Sequence, residues 1–142
     1  MIRTELIYDR AALIDNSLNR LEEFARQSLT EFLIHPDNYA IAEHHLRICL
    51  EALFDMGRHI LVKTGFGKPS DYREILIMLS RQSVIPADFL ENVKVMAGYR
   101  NRLVHMYNEI GGAEMYEIIS HGLSDIRKFC AYIMKYVNDT TS

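Results

Sequence analysis

The sequence predicts an all-α protein, an up-down antiparallel helical bundle of four long helices plus one short helix. Three observations predict it. Apolar residues recur at steps of three and four along almost the whole chain, the period of one helical face. Breakers cluster at His35-Pro36-Asp37-Asn38, Gly65-Phe66-Gly67-Lys68-Pro69-Ser70, Ile85-Pro86 and Gly111-Gly112, and they leave five segments. Only 3 Pro and 7 Gly among 142 residues argue against disorder and against a β domain with many tight turns.

The first segment spans about Arg3 to Ile34. Its residues Ile14, Leu18, Leu21, Ala25, Leu29 and Phe32 share one helical face. The second spans about Tyr39 to Thr64. Ile41, Leu46, Ile48, Cys49, Leu50, Leu53, Phe54, Met56, Ile60 and Leu61 cover most of its circumference, so it belongs in the middle of the bundle. Gly65 is a natural stop. The third, about Asp71 to Gln82, is short, and Asp71 with Glu74 has capping-box spacing. The fourth starts at Pro86, a good first-turn residue, and runs to about Tyr107. The fifth, about Ala113 to Val137, carries the stripe Tyr116, Ile119, Leu123, Ile126, Cys130, Ile133, Val137, a bundle seam.

Composition agrees. Hydrophobic residues make up 49% and charged residues 25%, close to a soluble globular average. The expectation is one domain over residues 1–142, with 138–142 a frayed tail. A chain this long buries roughly two thirds of its unfolded surface, enough for a core without metal or disulfide. No stretch is apolar enough to span a membrane, and the charged Met1-Ile2-Arg3-Thr4-Glu5 start lacks a signal-peptide core. The net charge of −3 excludes a polyanion binder working by bulk charge. Cys49 and Cys130 lie far apart among apolar neighbours, as reduced core thiols of a cytoplasmic protein do.

Polar chemistry concentrates at one place. The stripe Phe89, Val93, Met96, Arg100, Leu103, Tyr107 puts a guanidinium in a packing seam, which is costly unless it is paired or faces a wet cleft. Around it runs Gly98-Tyr99-Arg100-Asn101-Arg102-Leu103-Val104-His105-Met106-Tyr107. At about 100° per residue Asn101 and His105 lie nearly above one another, and His105 points roughly 140° away from Arg100. One helix cannot aim both at a single point, but two copies of it in a dimer could.

The string Arg100-Asn101-x-Leu103-Val104-His105-x-Tyr107 resembles the signature of HEPN-domain proteins, in particular the HepT-like toxins of minimal-nucleotidyltransferase toxin–antitoxin modules. Glu51-Ala52-Leu53-Phe54-Asp55, Asp71-Tyr72-Arg73-Glu74, Val84-Ile85-Pro86 and Met96-Ala97-Gly98-Tyr99 look like the family's segments in the same order. The resemblance spans about Tyr39 to Tyr136. It implies the toxin of a type VII-like toxin–antitoxin system: a homodimeric, metal-independent endoribonuclease without a cofactor, acting on RNA and neutralised by a cognate nucleotidyltransferase.

The residue types suit that chemistry. RNA carries its own nucleophile, the 2′-OH. An imidazole moves protons near neutral pH, and a guanidinium matches phosphate with parallel donors. His105 is therefore expected as acid/base group, Arg100 as phosphate clamp and Asn101 as an orienting residue. The products would be a 2′,3′-cyclic phosphate and a 5′-OH. Glu51 and Asp55 share a helix face, flanked by Arg47 and Arg58. They either form helix-surface ion pairs or support the site, with Asp55 orienting Arg100 or His105. Tyr107 either packs in the seam or, as the resemblance implies, accepts AMP groups from the partner enzyme.

Other candidates are weaker. His44, His45 and Cys49 offer two metal ligands at helical spacing but no complete set. Gly65–Ser70 lacks the four-residue gap of a phosphate loop and follows a helix, so it reads as an inter-helix turn. Arg26, His35 and His121 read as exposed or structural. The rival function is a non-catalytic HEPN module that binds a nucleotide or a partner nucleotidyltransferase.

Overall fold

A computed structural model describes residues 1–105 and 110–141. Among them every regular element is a helix: α1 (Thr4–Ala25), α2 (Leu29–Ile34), α3 (Pro36–Lys63), α4 (Tyr72–Arg81), α5 (Ala87–Val104) and α6 (Gly112–Thr141). The architecture is the expected helical bundle with α3 at its centre. Leu46, Cys49, Leu50, Leu53, Phe54, Met56, Ile60 and Leu61 are all buried, and α3 packs against each of the other five helices. An apolar circumference leaves a helix no stable place except the interior. No helix among the described residues is long and apolar enough to cross a membrane.

The first segment is two helices rather than one. Ser28 Oγ accepts from the Glu31 amide at 3.1 Å, and Glu31 Oε1 accepts from the Ser28 amide at 2.9 Å. This reciprocal capping box starts a new helix in the middle of what the apolar period reads as a single face. The break leaves Leu29 exposed but turns Phe32 into the core, edge-to-face on Phe24 with centroids 5.7 Å apart. Local capping wins here because it satisfies donors that an interrupted helix would leave unpaired.

The Gly65–Ser70 stretch is the expected turn. Gly65 has φ +77° and the Phe66 amide donates to the Leu61 carbonyl at 2.9 Å, a left-handed helix stop. At the start of α4 the Asp71 carboxylate accepts from the Glu74 amide at 2.8 Å. The Glu74 carboxylate bonds the Ser70 hydroxyl at 2.9 Å rather than closing the box on Asp71. Helix α4 then sits very close to α3: a Cβ on Gly57 would lie 2.9 Å from Leu79 Cδ1 and 3.0 Å from Ile75 Cγ2.

Helix α6 continues through Asn138–Thr141, where the sequence suggests a frayed tail. Tyr8 Oη donates to Asn138 Oδ1 at 3.1 Å, and Lys135 pairs with Asp139 at 2.7 Å. Farther back, Arg127 ties α6 to α1 through Glu22 at 2.7 Å, Asn19 at 3.2 Å and Asp15 at 3.4 Å. Cys49 is buried, Cys130 half-buried, and both are free thiols. Burial pushes the Cys49 thiol up to about 12, so it behaves as an inert core group.

The close seat of α4 yields a prediction. Gly57→Val adds two methyl groups and a β-branch against buried Ile75 and Leu79, and overpacking of this kind costs about 1–3 kcal/mol. Urea unfolding followed by circular dichroism measures the loss. An unchanged midpoint would mean that α3 and α4 are farther apart than described.

Candidate functional site

Helix α5 carries the polar cluster, and its inner stripe is set as expected: Phe89, Val93 and Met96 are buried, and Leu103 is half-buried. Arg100 follows in the same stripe, with its side chain only 22% exposed. Its guanidinium carbon stands 4.5 Å from the centroid of the Tyr72 ring. Its Nη2 is 4.0 Å from Glu51 Oε1, beyond hydrogen-bond range. Its Nε is buried and has no hydrogen-bond partner. An unpaired buried donor costs about 1–3 kcal/mol, and a partly desolvated cation–π contact returns about 0.5–2 kcal/mol. The two are comparable, so the stacked ring offsets much of what the seam position costs.

Tyr72 itself is held from below and beside. It occupies the first turn of α4, directly after the Asp71 cap, and tilts against Phe54 of α3 at 4.9 Å. Arg58 approaches the same ring at 5.8 Å. The sequence reading places Tyr72 at a helix start but gives it no site role. The Asp71…Glu74 cap was the only local signal, and the stacking partner is 28 positions away.

The two supporting acids separate. Glu51 faces Arg100, as one of the two readings allows. Asp55 does not orient Arg100: its Oδ2 lies 3.5 Å from Arg10 Nε on α1, and its side chain is 52% exposed. One turn along α3 is enough to carry it past the edge of the site. Its pairing with Arg10 is the ion-pair reading with a different partner from the flanking Arg47 and Arg58.

The end of α5 differs from expectation. The helix stops at Val104, not near Tyr107, and His105 is extended (φ −102°, ψ 121°). The His105 amide donates to the Asn101 carbonyl at 3.1 Å. The imidazole therefore leaves the helical register in which Asn101 and His105 would stack. His105 is exposed and lines a cleft with Tyr39, Glu43, Ile110 and Gly111. Asn101 is exposed on another cleft, beside Tyr72, Arg73 and Lys94. Within one chain, Arg100 is brought to Tyr72 and Glu51, while His105 and Asn101 open onto separate surfaces. Tyr107 lies outside the described residues.

A second arginine does different work. Arg102 Nη1 and Nη2 donate to Glu114 Oε2 and Oε1, both at 2.6 Å. This fork ties the last turn of α5 to the first turn of α6 and so fixes both ends of the connection that contains His105. The Arg102 hydrogen bonds hold the Glu114 carboxyl below its usual range. Arg102 lies in the polar string that the sequence singles out, but Glu114 does not stand out there, because the pair forms only when the two helices meet.

The remaining candidates stay structural. Ser17 Oγ lies 3.0 Å from His45 Nδ1, and the His44 and His45 rings meet edge-to-face at 5.1 Å. Among the described residues, no group of three or more His, Cys, Asp or Glu is placed to hold a metal. Arg26, His35 and His121 are exposed.

The comparisons with known proteins bear on this site. The ribonuclease HepT-like family model matches residues 14–133. The chain belongs to the HepT-like family. The tRNA nuclease HepT of Aphanizomenon flos-aquae is 29% identical over 136 residues, covering 96% of this chain and 92% of that protein. The mRNA nuclease HepT of Shewanella oneidensis is 26% identical over 128 residues, covering 88% and 93%. A solved structure of the tri-AMPylated Shewanella oneidensis HEPN toxin in complex with MNT antitoxin superposes with a TM-score of 0.82 at 25% identity, covering 92% of this chain and 97% of that one. The HepT-like match includes α3, α4 and α5 whole, and so every element that holds Arg100.

The Arg102–Glu114 fork predicts a pH signature. A carboxyl held low in the folded state stabilises above its unfolded value, and that stability disappears as pH falls through the folded value. Glu114→Gln should therefore lower Tm at pH 7. The gap from wild type should close as the pH drops below the carboxyl range. A gap independent of pH, read by thermal scans from pH 3 to 7, would place the loss elsewhere than in the Glu114 charge.

Proposed function

We propose that this HepT-like chain is an endoribonuclease toxin that cleaves RNA without a metal ion or other cofactor. The observation that carries the reading is Arg100, a permanently charged group kept in an apolar seam with no carboxylate of the described residues within hydrogen-bond range. Such a cation is expensive as structure and useful as a phosphate clamp. The names of the two nuclease relatives support the activity. They differ in the RNA they specify, so the proposal commits to backbone chemistry rather than to one RNA class.

In the proposed reaction the ribose 2′-oxygen attacks the adjacent phosphorus, and the bond from phosphorus to the 5′-oxygen breaks. A base removes the 2′-proton and an acid supplies one to the 5′-oxygen. His105, exposed at the end of α5, is the proton carrier. Arg100 stabilises the charge that grows on the phosphoryl oxygens, and Asn101 orients the backbone. Arg100 does not line the cleft that His105 lines, and in this reading the site is completed by a homodimer in which two α5 ends face one cavity. A cognate minimal nucleotidyltransferase antitoxin neutralises the toxin by transferring AMP to Tyr107, two residues from His105. Each AMP adds bulk and a negative phosphate that competes with RNA for the Arg100 charge. The AMPylated relative in complex with MNT antitoxin supports this part of the reading.

The test is a cleavage assay in EDTA with purified, unmodified protein and a mixed RNA pool. Wild type should leave 2′,3′-cyclic phosphate and 5′-OH ends. Arg100→Ala and His105→Ala should each lose at least about a hundredfold, the scale of a lost acid/base or oxyanion group. Ends of the opposite polarity, a 3′-OH and a 5′-phosphate, would sink the mechanism.

Modification is tested separately. Intact-mass and peptide analysis of protein co-expressed with its nucleotidyltransferase should place AMP on Tyr107. AMP confined to other residues contradicts this control mechanism. The separation of His105 from Arg100 also favours a second reading, a HEPN module that binds a nucleotide or its partner without cleaving RNA. No cleavage by wild type or by His105→Ala, with AMP absent from Tyr107 by mass, would favour that module.

A further inference from the structure

We infer that Tyr72 is a positioning residue for Arg100, setting the plane of the guanidinium through its ring face. The inference deepens the proposed function, since it rests on Arg100 as the phosphate clamp. Three observations meet at this side chain. The guanidinium carbon is 4.5 Å from the Tyr72 centroid. The Nε donor is buried with no partner. Among the described residues, the nearest carboxylate, on Glu51, is 4.0 Å away.

A clamp has two conflicting needs. It must be held in one orientation, and it must keep its charge available for the phosphate. A bidentate carboxylate meets the first need and defeats the second, as the Arg102–Glu114 fork illustrates two residues farther along the helix. An aromatic face meets both. It attracts the cation through its quadrupole and offers no hydrogen-bond acceptor in the guanidinium plane. The Nη groups are then left as donors for phosphoryl oxygens.

The ring is itself immobilised. Asp71 caps the helix turn that carries it, Phe54 packs against it at 4.9 Å, and Gly57 lets α4 sit close on α3. Helix α4 thus delivers one aromatic face to one arginine of the neighbouring helix. Arg58, at 5.8 Å from the same ring, approaches less closely than Arg100.

The test uses the full-length, unmodified protein and changes the ring's electrons while keeping its shape. Position 72 carries Tyr, Phe (Tyr72→Phe) or phenylalanines of rising fluorine content. Tyr72→Phe should cleave RNA within about twofold of wild type, because the face and not the hydroxyl makes the contact. Cleavage should fall stepwise with fluorination, by about tenfold at full substitution, in kcat more than in KM. A ring that serves only as packing would show no such slope, and a flat series overturns the inference.

The second readout needs no activity. The Arg100 Nε–Hε resonance of ¹⁵N-labelled protein should be displaced by the Tyr72 ring current and stay displaced in Tyr72→Phe. It should return towards the ordinary arginine position in Tyr72→Leu, with folding checked by the remaining amide spectrum. Identical Hε positions in wild type and Tyr72→Leu overturn the stacking. If wild type cleaves no RNA, the nuclease reading falls and the Hε shift alone decides whether Tyr72 positions Arg100.

Discussion

The burial of α3 is the constraint on which the rest of the structure depends. Its apolar residues cover most of the helix, and every other helix packs against it. That arrangement confines the polar side chains of α3, among them His44, Arg47, Glu51, Asp55 and Arg58, to the strip the other helices leave uncovered. Glu51 and Asp55 sit where its surface emerges from the core, one turn apart, and they meet different neighbours. At Gly57 α3 is thin enough for Leu79 and Ile75 of α4 to come close. The surroundings of Arg100 are thus a consequence of how α3 is covered, helix by helix.

Two arginines two residues apart illustrate how packing assigns roles. Arg102 meets Glu114 in a short bidentate fork. Its charge is matched, and it serves to join α5 to α6. Arg100 lies in the stripe that faces the bundle, stacked on Tyr72 and only loosely approached by Glu51. Its charge is oriented but, among the described residues, not matched by a hydrogen-bonded anion. The same side-chain chemistry becomes a brace in one case and a stacked cation without a bidentate carboxylate in the other, because about 200° of helical rotation separates them.

The all-α architecture, the central place of α3 and the cost of Arg100 were all legible in the sequence. Each depends on local periodicity, and a helix reports its buried face through spacing alone. The start of α2 was legible in principle, since Ser28 and Glu31 have capping-box spacing, but the apolar stripe across residues 25–32 masked it. The early end of α5 was not legible. The run of Leu103, Val104 and His105 contains no breaker, and the stop precedes Gly111-Gly112 by several residues.

By itself the sequence determined which residues must be inside and which polar group stands among them at a cost. Those are properties of one helix at a time. Only the tertiary structure decided what each polar group meets. Asp55 met Arg10, Glu51 approached Arg100, Arg102 found Glu114, and Tyr72 came to lie across the Arg100 guanidinium. The physical reason is distance along the chain. Helical periodicity relates residues three or four apart, whereas Tyr72 and Arg100 are joined only through the separate packing of α4 and α5 on a common core.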